Sequence, residues 1–449
     1  MKTTRNILKI VGMGQKVILP SGEQRRVIRL NNAATTPPFV YTLQKVGAYL
    51  QTYGALHRGA GPLAARTYEY AQKALTVIRR FFSVPPSHAL LFTSNTSAAI
   101  NMLVRLLPLT KGDVVLLSST EHTSNHLPWL LRTVAKTVYI SSFPDGSFDY
   151  ADLEKKLQEH RGRVKWVSIT GASNLTGYIP DIKRIARLVH SAKAKLFVDA
   201  AQLAPHRRID MRTQGIDALA FSAHKLYAPF GLGVLIMEKS LLKRTPVDPG
   251  GGSIDMLGSP EIVWAPPAER HQTGTWNVTG IVALAASCEA ITRVGWETIV
   301  SHERTLRDYL LQKLVKVKDL TLYVSPERYR ADDRTGAITF NMKGFHHALL
   351  AAILEHEYGI ETRAGTICNH RLVRRWIGIN DAKQAEIERR IKSGNRLASY
   401  GIVRVSLGVH NTKQDVDSLI DALVSIQKDG PKLKYRPVPK EETFVPVER

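Results

Sequence analysis

The sequence predicts an α/β protein: a mostly parallel sheet in a large domain, followed by a smaller α+β domain. Three observations carry that prediction. From about residue 45 to 236, short apolar runs alternate with stretches whose apolar residues recur at helical spacing. The runs are nearly continuous in Val, Leu, Ile and Ala rather than alternating with polar residues, the mark of strands buried on both faces. After a Gly-rich loop at 248–258 the pattern changes to longer helices with sparse strands.

In order, the spacing predicts helices at 62–82, 97–107 and 182–192. Strands are predicted at 89–92, 114–117, 164–169, 195–198, 218–221 and, past a Gly-Pro turn, 233–237. Beyond an irregular stretch at 264–277, one long helix is expected at about 280–317. Strands at 337–342 and 403–407 and helices at 346–357 and 414–427 follow. This divides the chain into an N-terminal segment (1–29) packing with the small domain, a large domain (30–284) and a small domain (285–430). A polar helical insertion lies at about 370–400, and residues 431–449, with their prolines among charges, read as a loosely ordered, extended tail.

The 449 residues are 44% hydrophobic and 22% charged, which excludes a disordered or collagen-like chain. Lys and Arg total 62 against 39 Asp and Glu, a formal charge of +23. The basic residues are scattered, without aromatic interleaving or a nucleic-acid-binding signature, so neither nucleic acid nor membrane is an expected partner. Two cysteines, Cys288 and Cys368, exclude a disulfide framework or a paired-cysteine zinc site, and no metal is expected. With no long apolar N-terminal run, the expected location is the cytoplasm.

The chemistry-bearing residues sit just past the predicted strands, where open α/β sheets bind ligands. Asp199 follows 195–198 and can pair with a cationic ring nitrogen. Lys225 follows 218–221, flanked by Ser222 and His224, and a desolvated lysine there can bind an aldehyde. An acid and an amine so placed are what pyridoxal 5′-phosphate needs. Thr93, Ser94, Asn95, Thr96 and Ser97 join a strand to a helix, and hydroxyls at a helix N-terminus form an anion site. Each piece alone can equally be a helix cap; the ordered set is more specific.

Further pieces accompany them: Leu30-Asn31-Asn32-Ala33-Ala34, His57-Arg58-Gly59, Glu121-His122, Ser173-Asn174, Gln202, Gly274-Thr275, Arg363-Ala364-Gly365-Thr366-Ile367-Cys368 and Arg404. With this series the chain resembles the class V aminotransferase family of fold-type I pyridoxal-phosphate enzymes, most of all group II cysteine desulfurases and selenocysteine lyases. The resemblance implies a seven-stranded, mostly parallel sheet and pyridoxal 5′-phosphate as cofactor. It makes Lys225 the aldehyde-binding lysine and proton shuttle, Asp199 the partner of the pyridine nitrogen, His122 the residue stacked on the ring and Gln202 the partner of the phenolic oxygen. Thr96, Ser97, Ser222 and His224 would hold the phosphate, with Thr275 supplied by a second subunit, hence a homodimer with shared active sites. Asn174, a cofactor contact as well, Arg404 and Arg363 would bind substrate. Cys368 would take sulfur from L-cysteine as a persulfide, leaving L-alanine, with Arg363, Arg371, Arg374 and Arg375 available to favour its thiolate.

The chain departs from the family pattern at Asn95 and Ala98 in the phosphate turn, at Thr123 after the stacking histidine, and at Thr366 and Ile367, where the family places two histidines. If the insertion docks a partner, its basic residues favour an acidic sulfur-acceptor protein. The competing reading is a class V enzyme acting on another amino acid, such as an epimerase, C–S lyase or transaminase, with Cys368 incidental. A non-enzymatic protein on the same scaffold is disfavoured by the intact Lys225, Asp199 and His122 set.

Overall fold

The computed structural model describes residues 7–56, 59–258 and 260–447; His57 and Arg58 lie outside the described residues. At its centre is a seven-stranded sheet: β1 (His88–Thr93), β2 (Val114–Ser118), β3 (Lys136–Ile140), β4 (Val164–Thr170), β5 (Lys195–Asp199), β6 (Ala218–Ser222) and β7 (Gly233–Glu238). The spatial order is β1-β7-β6-β5-β4-β2-β3. Neighbours are parallel except β7, which runs antiparallel to β1 and β6. The unbroken apolar runs explain the burial: every residue of β2 and β6 is buried. The strand absent from the residue pattern, β3, is an edge strand whose Lys136, Thr137 and Tyr139 break the apolar run.

The longer helices of the large domain are α1 (Val40–Leu50), α2 (Pro62–Phe81), α3 (Thr96–Leu106), α4 (Thr123–Leu131), α5 (Tyr150–Glu159), α6 (Ile182–Ser191) and α7 (Val278–Val294). Residues from α1, α2, α5, α6 and α7 share a core on one face of the sheet. On the other face, α3 and Trp129 of α4 pack against Leu91, Val115, Phe197 and Leu235. This two-sided cover places the carboxyl ends of β1, β2, β5 and β6 along one edge, and Thr96, Ser97, His122, Asp199, Gln202, Ser222, His224 and Lys225 lie at or just after those ends.

The small domain contains α8 (Trp296–Leu314), β8 (Leu320–Leu322), β9 (Ala337–Met342), α9 (His347–Tyr358), β10 (Arg363–Gly365), α10 (His370–Ile377), α11 (Asp381–Lys392), β11 (Ile402–Ser406) and α12 (Lys413–Asp429). Its antiparallel sheet has the order β8-β9-β11-β10, and α8, α9 and α12 cover it with a separate apolar core.

Several expectations are corrected. The single helix at 280–317 is two, α7 and α8, bent by 81° at Gly295. Gly295 has φ +86° and ψ 140°, a backbone that a side-chain-bearing residue rarely adopts. The expected domain boundary at 284 falls inside α7, whose buried residues through Val294, with Ile299 of α8, belong to the large-domain core. The N-terminal segment is shared: Ile10 joins the large core, whereas Ile28–Arg29 pairs in parallel with Ile360–Glu361 of the small domain. The tail is a β-hairpin, Tyr435–Val438 against Thr443–Pro446. Its root is fixed by the buried Glu357 carboxylate, which accepts from the N–H groups of Lys432 (3.0 Å) and Leu433 (3.1 Å) and from the Tyr435 hydroxyl (3.2 Å). Proline and charge content misled here, because one buried carboxylate satisfies the backbone donors of Lys432 and Leu433 and the strands pair with each other.

A buried ion-pair cluster joins the domains. Glu303 of α8 receives Arg207 and His206, both at 2.6 Å, and Arg207 also pairs with Asp333 at 2.8 Å. Although burial opposes it, His206 and Arg207 hold the Glu303 carboxyl down at about 2.

Candidate active site

The strand ends surround a cavity of about 250 Å³, lined by Thr96, Ser97, His122, Asn174, Asp199, Gln202, Ser222, His224 and Lys225, together with Ala34, Asn95, Ser124 and Thr170. Nine residues singled out from sequence therefore meet in one place. Lys225 ends a short 3₁₀ turn directly after β6. Burial is the main cause that lowers its amine from 10.5 to about 8, with Arg404 adding and Asp199 and Cys368 opposing. A substantial neutral fraction near neutrality is what capture of an aldehyde requires.

Asp199 ends β5 and is 3% exposed. One carboxylate oxygen accepts from the Ala201 N–H at 3.0 Å. Burial raises its pKa, partly offset by that bond and by Lys225. Behind it sits Glu121, a residue to which the sequence assigned no role. It accepts from the Thr170 N–H and from the Asn125 side chain, both at 2.6 Å, and burial pushes its carboxyl up to about 8, with Asp199 adding. Asp199, the buried acid that faces the cavity, suits a cationic partner there.

His122 is the N-cap of α4: its Nδ1 accepts from the Ser124 N–H at 3.1 Å. That bond leaves the proton on Nε2. Burial, with Lys225 and Arg404 adding, lowers the ring to about 3, so it is neutral. At the far end, α3 points its N-terminus into the cavity. The Ser222 hydroxyl accepts from the Thr96 N–H at 2.7 Å and lies 2.6 Å from the Thr96 hydroxyl. Ser97 and Ser124 hydroxyls are also 2.6 Å apart. Burial, with Lys225 adding, lowers the neighbouring His224 to about 4. Hydroxyls gathered at a helix N-terminus form an anion cup. Gln202 donates one amide hydrogen to the Ala33 carbonyl at 2.6 Å and has a second free to donate. A ring with a protonatable nitrogen facing Asp199, a face on His122, an aldehyde at Lys225 and a phosphate at the α3 terminus fits this arrangement.

Arg404, on β11, is 1% exposed, and its partners are neutral: the Asn174 carbonyl (3.1 Å) and the Asn31 side-chain oxygen (3.0 Å). Burial, with Arg363 adding, lowers it from 12.5 to about 9. Among the described residues, its Nε hydrogen has no partner. Arg363 pairs with Arg404 across β10 and β11, so two cations share one sheet face. Such a pair is unfavourable without a counter-anion. Arg363 itself is exposed and does not line the cavity. Thr275 is exposed and also outside the cavity of its own chain.

Cys368 is exposed, whereas Cys288 is buried inside α7, where burial raises its thiol well above the usual range. The Asn369 N–H donates to the Thr366 carbonyl at 3.0 Å, and Ile367 (φ +47°) and Cys368 (φ +58°) are both left-handed, as in a type I′ turn. Glycine usually fills such positions, and a β-branched residue there is strained. Three bonds hold the turn down. The Asn174 side chain donates to the Ile367 carbonyl (2.8 Å), the Thr123 N–H to the Cys368 carbonyl (2.9 Å) and the Asn369 side chain to the Thr120 carbonyl (2.7 Å). The cysteine is thus tied to the segment carrying His122.

The expected arginine cluster around the thiol is corrected. Arg371 lies over the Tyr139 ring at 4.0 Å, Arg374 pairs with Asp381 at 2.5 Å, and Arg375 donates to the carbonyls of Ser142 (2.9 Å) and Phe143 (2.6 Å). The basic groups on which Cys368 acts are Lys225 and Arg404, whose lowering it opposes.

With the geometry in place, comparison with known proteins is decisive. A model of the aminotransferase class-V family matches residues 28–419. The chain belongs to the class V aminotransferase family. Its relatives include a probable cysteine desulfurase from Halalkalibacterium halodurans, 31% identical, with the match covering 88% of this chain and 92% of that one. A cysteine desulfurase from Dickeya dadantii is 30% identical, covering 85% and 87%. Among solved structures, a cysteine desulfurase from Thermococcus onnurineus aligns with a TM-score of 0.78 at 26% identity, covering 90% and 95%. One from Escherichia coli gives 0.74 at 26%, covering 88% and 94%. Class V enzymes of this kind use pyridoxal 5′-phosphate, and the cavity residues described above would hold it.

Proposed function

We propose that this class V protein is a cysteine desulfurase that converts L-cysteine to L-alanine and retains the sulfur as a persulfide on Cys368. The observation that carries the reading is the exposed thiol on a strained turn bonded to Asn174 and Thr123. The bound cofactor supplies an electron sink for charge at the substrate Cα. Arg404 binds the substrate carboxylate, and Lys225 moves a proton at Cα. The Cys368 thiolate attacks the substrate sulfur, so an S–S bond forms while the substrate C–S bond breaks, its electron pair remaining on the carbon side. A proton completes alanine, and no outside oxidant is needed.

The same reading extends to selenocysteine as an alternative substrate. It also includes a homodimer in which the exposed Thr275 completes the phosphate site of the other copy. The acceptor is an acidic protein, in keeping with the basic residues of α10 just after Cys368, and the sulfur feeds iron–sulfur or other thio-cofactor assembly. The cytoplasm suits an exposed free thiol, which a reducing compartment preserves.

The test follows alanine and sulfide from holoprotein with L-cysteine, beside Cys368→Ala, with the persulfide mapped by mass spectrometry. Alanine from wild type alone, with a persulfide at Cys368, is the expected outcome. Alanine from both makes Cys368 dispensable. Alanine from neither, with cofactor bound, overturns the reading in favour of an epimerase or transaminase.

A further inference from the structure

The C-terminal hairpin lies beyond the family-matched stretch, which ends at 419. Its turn ends at Glu442, whose backbone is left-handed at φ +54°. The side chain is placed against β10: a Cβ added to Gly365 would stand 3.2 Å from the Glu442 Oε1. Residues two apart on a strand share a face, so Gly365 and Arg363 present the same side of β10, and Arg404 is the cross-strand partner of Arg363. Glu442, Arg363 and Arg404 therefore form a row of charges along one sheet face. Glycine at 365 leaves the room that the carboxylate occupies.

The placement is fixed. Glu357 pins the hairpin root, and Phe444 packs its ring 5.7 Å from that of His346 at the start of α9. Glu442 is half-buried; burial raises its pKa, and Arg363 and Arg396 oppose that rise. Its charge therefore acts on Arg363 without a direct ion pair.

We infer that Glu442 is a specificity-determining positioning residue: its carboxylate partly neutralises Arg363 and so weakens the grip of the Arg363 and Arg404 pair on a substrate carboxylate. This rests on reading those arginines as an amino-acid carboxylate site. The C-terminal hairpin thereby sets affinity at the site from outside the family's matched core.

The experiment compares wild type, Glu442→Gln and the exposed neighbour control Glu441→Gln as holoproteins. Two readouts are used: L-alanine affinity by calorimetry, and KM and kcat with L-cysteine. Glu442→Gln is expected to bind L-alanine about threefold more tightly, the scale of a partly solvated charge pair. KM should fall by a similar factor with kcat unchanged, and Glu441→Gln should match wild type. The gain should vanish in an Arg363→Gln background. Unchanged or weaker L-alanine binding in Glu442→Gln overturns the inference, as does a gain that persists without Arg363. The alanine measurement stands whether or not L-cysteine is turned over, so failure of the desulfurase reading is seen separately.

Discussion

Replacing Arg404 by Met should make the apoprotein more stable and the enzyme far worse. Arg404 is 1% exposed, and both of its hydrogen bonds go to neutral oxygens. Its fall from 12.5 to about 9 corresponds to a cost of about 4–5 kcal/mol for keeping the guanidinium charged in the fold. The replacement also gives up two bonds from a charged donor, about 1.5 kcal/mol each. Met fills much of the space, so the balance is a gain of about 2 kcal/mol. For a chain of this size that raises the melting temperature by about 2 °C. With substrate present the ledger inverts, because the charge then has its carboxylate. Losing a buried, hydrogen-bonded charge pair should lower kcat/KM about 100-fold. The assay is calorimetric melting of apo wild type and Arg404→Met, paired with kinetics of the holoproteins. A melting temperature lowered by several degrees would make Arg404 a framework residue, and an unchanged KM would remove it from substrate binding.

Two further outcomes follow from the same structure. Because burial holds Lys225 at about 8, its neutral, nucleophilic fraction grows as pH rises through 8. Capture of pyridoxal phosphate by apoprotein, followed by absorbance, should accelerate about tenfold per pH unit below that value and level off above it; a profile still rising past pH 10 would refute a depressed lysine. Gly295→Ala should cost about 1–2 kcal/mol, since φ is +86° and an added Cβ meets nothing within 4 Å, leaving backbone strain as the whole effect. An unchanged melting temperature would mean that the α7–α8 bend is not held by that glycine.

Lys225, Asp199, Ser222 and Thr96 were legible because each sits next to an apolar run long enough to be read as a strand, and strand ends share an edge in this topology. The Cys368 environment was not. The charges facing it arrive from β6 and β11, far off in sequence, while the nearby arginines of α10 turn to Tyr139, Asp381 and backbone carbonyls. Glu121 was visible as a residue but not as a buried acid, since its burial depends on the packing of α4 over β4. Short edge strands such as β8 and β10 carry too few residues for a period to show, and the hairpin at the C-terminus depends on a single distant carboxylate, Glu357. The bend at Gly295 had a local signal, a glycine inside an otherwise helical pattern, but glycine alone does not state its dihedral angles.

The Glu303 cluster bears on how the molecule turns over. Swinging the small domain away from the large one would pull Arg207 from both Glu303 and Asp333 and strand a charge that is out of water, at about 3–5 kcal/mol. A hinge of that cost would be open less than one part in a hundred of the time. Reactants that enter and leave without breaking this cluster would pass the rim of the cavity, with no opening and closing of its two halves.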